Sequence, residues 1–250
     1  MADMVSRRVI SRPVDGSRSR DPGRLAVRLD NLRFLVFGRS LPAVLFALLG
    51  YRVLMNLVGQ VRSLPAHLSP ADVAAPLATA LYFLFCTIPV AIYLTRARPQ
   101  ARDGRVVARV VALVGTTMLL IVGVFSTPVI WTPPPAVQVA AATPLTIVAF
   151  AVAVYGLLSL RRSLSIIPEA RRLVVSGPYR LIRHPLYAAE MLAATAIVLA
   201  RPTLWAIVTL PAFYAVQLVR AHFEERLLTR TFPDYVMYRR RTKRLIPKVW

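Results

Sequence analysis

Residues 177–190 read GPYRLIRHPLYAAE and combine a turn, two tyrosines, two arginines and a histidine with the start of an apolar run. The Gly-Pro pair predicts a turn, and the His184-Pro185 pair predicts a helix start, because proline suits the first helical turn. The free N–H groups of that turn, together with Arg183 and His184, could hold an anionic group. A basic loop at a membrane surface would have a similar composition.

A second polar stretch, RAHFEERLL, begins at Arg220. Arg220 and Glu224 are four residues apart and share a face of a continuing helix. Glu224 and Glu225 point in different directions, so we expect them to do different jobs, for example binding an ammonium group and holding an arginine. The alternative is that both acids only neutralise nearby arginines.

These two stretches predict one site if a helical hairpin returns both to the same membrane face. The site would then contain cations, carboxylates and four tyrosines, and it would suit a zwitterionic, partly aromatic cofactor beside a lipid-embedded substrate. Glu190 lies inside the apolar run, where a carboxylate indicates function by default, although pairing with Arg220 could make it structural. The tyrosines are Tyr179, Tyr187, Tyr235 and Tyr238.

Long apolar runs must position these residues. The chain has 250 residues, of which 56% are hydrophobic, and its charges are clustered between runs long enough to cross a membrane. We therefore predict an all-α, polytopic transmembrane helical bundle with about six membrane segments, the last two forming a short C-terminal hairpin beside a cytoplasmic cofactor pocket. The predicted segments are Leu41–Val58, Val73–Leu94, Val106–Phe125, Val137–Leu160, Pro185–Ala200 and Thr203–Val219.

The charge distribution predicts orientation. The formal net charge is +21, and 29 of the 32 basic residues lie in the termini and in two loops that alternate with the apolar runs. The positive-inside rule then places both termini on the cytoplasmic side, in what we expect to be a bacterial cytoplasmic membrane. The same blocks argue against nucleic acid as a partner. Trp131 belongs to a predicted loop on the opposite side.

The chain divides by composition into three parts. We predict a basic, disordered cytoplasmic tail over residues 1–32, a transmembrane scaffold of about four helices over residues 33–160, and a catalytic region over residues 161–250. Motifs for dinucleotide or phosphate loops, serine hydrolases and zinc proteases are absent from the sequence. The lone Cys86 and three scattered histidines predict no metal site. Chemistry that transfers a group from an already activated donor is therefore favoured.

The motifs GPYRLIRHPLY, RAHFEERLL and FPDYVMYRRR, in this order and followed by LIP, resemble the isoprenylcysteine carboxyl methyltransferase family. That family belongs to a wider group of membrane methyltransferases that includes phospholipid N-methyltransferases. The resemblance covers residues 161–247, about a third of the chain. It implies an S-adenosylmethionine cofactor, with S-adenosylhomocysteine as product, and a lipidic or prenylated acceptor.

The resemblance also implies roles for individual residues. Arg220 and Glu224 would lie near the transferred methyl group, with Arg220 orienting an acceptor carboxylate. Apart from the resemblance, the position of Glu190 inside the apolar run predicts that it contacts the substrate. Ten residues are expected to line the cofactor pocket or close over it. They are Tyr179, Arg183, His184, Pro185, Tyr187, Glu224, Glu225, Tyr235, Tyr238 and Arg239.

Two alternatives stay open. A phospholipid N-methyltransferase would need a general base, which Glu190 or Glu224 could supply. A membrane protein that binds without catalysis would need none of these roles.

Overall fold

We describe the fold from a computed structural model. The residues described are 22–96, 98–124, 136–166, 169–200 and 202–247. Trp131 and most of its predicted loop lie outside them.

Within the described residues the chain is mostly helical. The predicted tail is helical from Pro22 onward, in the helix Pro22–Arg33. A π-helical turn, Phe34–Ser40, joins that helix to the next one. The helices are α1 Pro22–Arg33, α2 Leu41–Arg62, α3 Pro70–Thr95, α4 Val106–Val124, α5 Ala136–Leu160, α6 Pro185–Ala200, α7 Leu204–Thr231 and α8 Tyr235–Arg241.

Among the residues that the structure describes, four helical stretches are long and apolar enough to cross a membrane. They are Val27–Arg62, Asp72–Thr95, Ala140–Leu160 and Leu204–Thr231, whereas α6 has only 16 residues. The predicted helical membrane architecture is confirmed at this level. The count of six membrane segments stays a prediction.

The predicted segments differ from the observed helices mainly in α7. The prediction ended at Val219, where the apolar run stops, but the helix continues to Thr231 and has 28 residues. At about 1.5 Å per residue it is about 42 Å long, which exceeds a hydrocarbon core of about 30 Å. The additional turns carry Arg220, Glu224 and Glu225 on a rigid element.

Alanines allow the helices beside the site to pack closely. Ala149 and Phe150 of α5 meet Ala193 of α6 in a buried cluster, against which Tyr82 and Phe85 of α3 pack. Small side chains allow membrane helices to approach each other closely. Dispersion contacts then stabilise the packing, because the hydrophobic effect does not drive helices together within lipid. Helix α5 packs between α3 and α6, and α7 packs mainly against α4.

One short strand pair accompanies the helices. Ala101–Arg102 (β1) pairs antiparallel with Glu169–Ala170 (β2), and the Gln100 N–H donates to the Ala170 carbonyl over 2.8 Å. The pair ties the segment after α3 to the segment after α5. The all-α prediction did not include it, because two-residue strands have no sequence periodicity.

The turn before α6 depends on Gly177. Its φ is +62°, and the following residues form a 3₁₀ turn, Gly177–Arg180. A Cβ added here would lie 3.2 Å from Cβ of Ser159 and 3.5 Å from Cζ of Tyr155. Both the backbone conformation and the space therefore require glycine, and the predicted turn is confirmed.

We expect Gly177→Ala to destabilise the protein by about 1–2 kcal/mol from the left-handed backbone alone, with the contact to Ser159 adding to this. Thermal unfolding in detergent measures the effect. Gly104→Ala is the control, because Gly104 has no positive φ and its added Cβ would meet nothing within 4 Å. Equal unfolding midpoints for the two variants would contradict the requirement for glycine at 177.

Candidate active site

A cleft lies where α3, α5, α6 and α7 converge with the segment that follows α5. Its empty volume, counted out to its open mouth, is about 880 Å³. Its polar lining consists of serine and threonine side chains together with Tyr93, Glu169, Tyr179, Arg183, His184, Tyr187, Glu190, Arg220 and Glu224. Its apolar lining includes Phe46, Phe85, Pro89, Leu157, Leu160 and Leu186. The cleft therefore has both charged and greasy walls.

The carboxylate of Glu225 is the centre of an ion cluster behind this cleft. Its Oε1 accepts from Nε of Arg183 at 2.8 Å, and its Oε2 accepts from Nη2 of Arg244 at 2.8 Å. Nε2 of His184 lies 3.1 Å from Oε1. Only 4% of the Glu225 side chain is exposed. The hydrogen bond to this carboxylate is the largest cause raising the pKa of Arg244.

Main-chain hydrogen bonds reinforce the same cluster. The Arg183 N–H donates to the Lys243 carbonyl over 2.8 Å, and the His184 N–H donates to the Arg244 carbonyl over 3.0 Å. Nη1 of Arg183 also donates to the Thr242 carbonyl. These bonds join the segment before α6 to the segment after α8. They also pair main-chain N–H groups that would otherwise lack a partner at the start of a helix.

Glu224 has a different environment from its neighbour. Its Oε2 accepts from the Tyr187 hydroxyl over 2.9 Å, and 39% of its side chain is exposed. Its Oε1 accepts no hydrogen bond within the described part of the chain. The His184 ring stacks on Tyr187 with the centroids 5.3 Å apart, so an aromatic pair borders this free oxygen.

Arg220 is held by Glu190 and Gln217 rather than by Glu224. Its Nη1 donates to Oε1 of Gln217 at 2.7 Å and lies 3.4 Å from Oε2 of Glu190, which also accepts from Gln217. Its Cζ lies 4.8 Å from the centroid of the Tyr187 ring. The residue is 6% exposed, and its Nε finds no partner among the described residues. Sequence reasoning did not single out Gln217, since an amide in an apolar run has no charge signature.

The C-terminal aromatic residues lie behind the cleft. The Tyr238 hydroxyl donates to the Tyr179 carbonyl over 2.6 Å, and Tyr235 is buried beside Tyr238. Burial raises the pKa of Tyr238 to about 12 and raises that of Tyr179 well above its ordinary value. Tyr179 lines the cleft, but Tyr235, Tyr238, Arg239 and Pro185 are not part of its lining.

A second ion cluster borders the cleft and has no counterpart in the sequence analysis. Oε2 of Glu169 accepts from Arg96 at 2.6 Å, from Arg171 at 2.7 Å and from the Ser165 hydroxyl at 2.8 Å. Nη2 of Arg39 donates to the Arg96 carbonyl over 2.6 Å. The sequence signal for this cluster was Glu169 as a single acid within a long basic segment. That signal does not reveal that Arg96, 73 residues away, is its partner.

The family described as phospholipid methyltransferase matches residues 137–235. The match includes α5, α6, α7 and most of the cleft's polar residues, and that family includes the methyltransferases that the motifs resemble. The resemblance is therefore confirmed. Residues 137–235 are therefore similar to a family of membrane methyltransferases.

The chain is also similar to the cobalt-zinc-cadmium resistance protein CzcN of Cupriavidus metallidurans. The two are 34% identical over 80 residues, which is 31% of this chain and 36% of CzcN. The match thus spans about a third of either protein.

We expect Glu225→Gln to destabilise the protein by about 3–5 kcal/mol, because it leaves Arg183 and Arg244 facing a neutral group in a buried cluster. Thermal unfolding in detergent measures this. Glu224→Gln is the matched control: the neighbouring carboxylate is partly exposed, and an amide oxygen can still accept from Tyr187, so we expect a change below about 1 kcal/mol. Similar losses in both variants would contradict the central position of Glu225.

Proposed function

We propose that the protein is an S-adenosylmethionine-dependent methyltransferase that methylates the carboxylate of a lipidic acceptor. The observation that carries the proposal is the cleft itself, which places Arg220, Glu224 and Glu190 beside apolar side chains in the region that matches membrane methyltransferases. Bound S-adenosylmethionine supplies a methyl group already activated on a sulfonium. The protein then needs neither a metal nor a nucleophile of its own.

The cleft fits a cofactor of net positive charge. Glu224 offers Oε1, which has no partner in the described part of the chain, and its carboxylate can bind an ammonium group or face a sulfonium. His184 and Tyr187 present stacked rings to the cleft, against which a flat heterocycle can pack. Arg183 lies at the same wall with most of its donors already used, so we assign it to holding that wall.

Arg220 is suited to an anionic acceptor. Its Nε is buried and unpartnered among the described residues, and a buried unsatisfied donor is costly unless a ligand completes it. Arginine presents a planar fork that matches a carboxylate. A carboxylate is already ionised and attacks without a general base, so Arg220 would orient the nucleophile and would not deprotonate it.

The apolar walls suit a hydrocarbon chain. Phe46, Phe85, Leu157 and Leu186 come from four different helices and face the same cleft. A fatty or prenyl chain lying against them would lose its contact with water or lipid and hold the acceptor head group at Arg220. Positioning of this kind lowers the barrier by fixing the reacting groups in advance.

The remaining predicted residues are assigned supporting roles. Glu225 fixes Arg183 and His184, and Pro185 starts α6 beside them. Tyr235, Tyr238 and Arg239 hold the turn that carries Tyr179 and the Arg183 side chain. We further propose that both chain ends lie on the cytoplasmic side, because the basic residues cluster there.

Methylation of a phospholipid amine is the second candidate. It is favoured by the printed description of the matching family and by the free oxygen of Glu224, which could take a proton from an ammonium group as it becomes a nucleophile. In that reaction Arg220 would bind a lipid phosphate instead of the reacting group.

Purified wild-type protein in detergent should bind S-adenosylhomocysteine in isothermal calorimetry. Glu224→Ala and His184→Ala should each weaken binding about tenfold or more, because each removes a group from the proposed cofactor wall. Gly59→Ala is the control, since Gly59 lies in α2 with no atoms near an added Cβ. If wild type binds neither S-adenosylhomocysteine nor S-adenosylmethionine, the proposal is wrong and a non-catalytic binding protein is the better explanation.

Incubation with methyl-labelled S-adenosylmethionine and a lipid extract separates the two candidates. Carboxyl methylation should give a label that mild base releases as methanol, because an ester hydrolyses where a methylated amine does not. Arg220→Lys should lower this transfer by about 10²-fold through loss of the planar fork. A label that mild base does not release as methanol would contradict carboxyl methylation and would favour methylation of an amine.

A further inference from the structure

Gly115 of α4 lies directly against Arg220. A Cβ built on Gly115 would be 2.6 Å from Cδ of Arg220, 3.0 Å from Cγ1 of Val216 and 3.3 Å from Nη1 of Arg220. Distances below 3.0 Å are not tolerated by real Cβ atoms, so a side chain here requires movement of Arg220 or of a helix. Residue 115 lies outside the matched residues 137–235, and no role has yet been assigned to it.

The Arg220 side chain has little freedom to move away. Its guanidinium donates to Gln217, approaches Glu190 and lies over the Tyr187 ring. Moving Nη1 would leave the Glu190 carboxylate and the Gln217 amide with fewer partners in a buried region. Leaving such groups unpaired is costly, so this network opposes displacement from one side while Gly115 makes room on the other.

Resting on the proposed function, we propose that Gly115 is a positioning residue: by lacking a side chain it sets how deeply Arg220 sits in the cleft, and α4 thereby controls acceptor orientation. The three atoms nearest to a Cβ built on Gly115 belong to Arg220 and Val216, and neither residue is in the proposed cofactor wall or the apolar lining named above. Arg220 makes no hydrogen bond to Glu224 in the described chain, and it meets the proposed cofactor wall through the Tyr187 ring. We therefore expect a larger effect on the acceptor than on the cofactor.

The first test is Gly115→Ala. A displacement of about 1 Å at a positioning group can lower turnover by about 10²-fold, so we expect acceptor kcat/KM to fall at least tenfold. The dissociation constant for S-adenosylhomocysteine should stay within about threefold of wild type. Gly59→Ala, which also adds a methyl group to a helix interior but meets nothing within 4 Å, should change neither quantity. An equal loss of cofactor affinity and turnover would overturn the proposal.

A double-mutant cycle tests whether Gly115 acts through Arg220 without relying on catalysis. Gly115→Ala should lower the thermal unfolding midpoint in the wild-type background, but by less in the Arg220→Ala background, because truncation removes Cδ and Nη1 of Arg220 and leaves only Cγ1 of Val216 among the three atoms nearest to the new Cβ. The same midpoint shift in both backgrounds would show that Gly115 serves α4–α7 packing alone and would overturn the proposal. This cycle remains informative if the protein proves not to be a methyltransferase, which the calorimetry with wild type decides separately.

Discussion

The carboxylate of Glu225 determines how the rest of the site is arranged. It lies near the end of α7 and receives donors from Arg183, His184 and Arg244, which come from the start of α6 and from the segment after α8. A single buried anion thus joins these three pieces of chain, beside the main-chain hydrogen bonds between the segment before α6 and the segment after α8. The burial of Glu225 is tolerated because cations surround it. The cleft wall is in place because this cluster is satisfied.

The adjacent residues Glu224 and Glu225 have different roles: Glu225 stabilises the structure, and Glu224 is available to a ligand. A one-residue step rotates a side chain by about 100° around an α-helix. Glu225 consequently faces the protein interior, whereas Glu224 faces the cleft and keeps one oxygen without a partner in the described chain. The same geometry explains why Arg220, four residues before Glu224, lines the same cleft while being held by a separate pair of residues, Gln217 and Glu190. Arg220 is thus paired with Glu190, while the Glu224 carboxylate stays separate from Arg220 and is not neutralised by it.

The scaffold helices contribute more to the site than their plain composition indicates. Phe46, Phe85 and Leu157 supply apolar walls, and the strand pair β1–β2 brings Glu169 to the cleft edge beside Arg96. Gly115 contributes through the absence of a side chain. Such contributions follow from small residues and neutral contacts that membrane helices use for close packing.

Much of the fold and part of the site follow from the sequence by itself. Apolar runs gave helix bounds close to those observed for α2 to α6, because a hydrocarbon-length run has few other stable conformations in a membrane. The turn at Gly177, the helix start at Pro185 and the shared face of Arg220 and Glu224 are local properties, so local rules were enough.

Contacts between distant segments were decided only by the tertiary structure. Sequence spacing could place Glu224 and Glu225 on different sides of α7, but it could not say which one meets Arg244 or which one remains open to the cleft. The family resemblance implied cofactor contact for Glu225 and Tyr235, and the structure surrounds the Glu225 carboxylate with cations and buries the Tyr235 ring. Burial and pairing depend on which helices pack together, and the free energy that selects one packing is spread over side chains far apart in the chain.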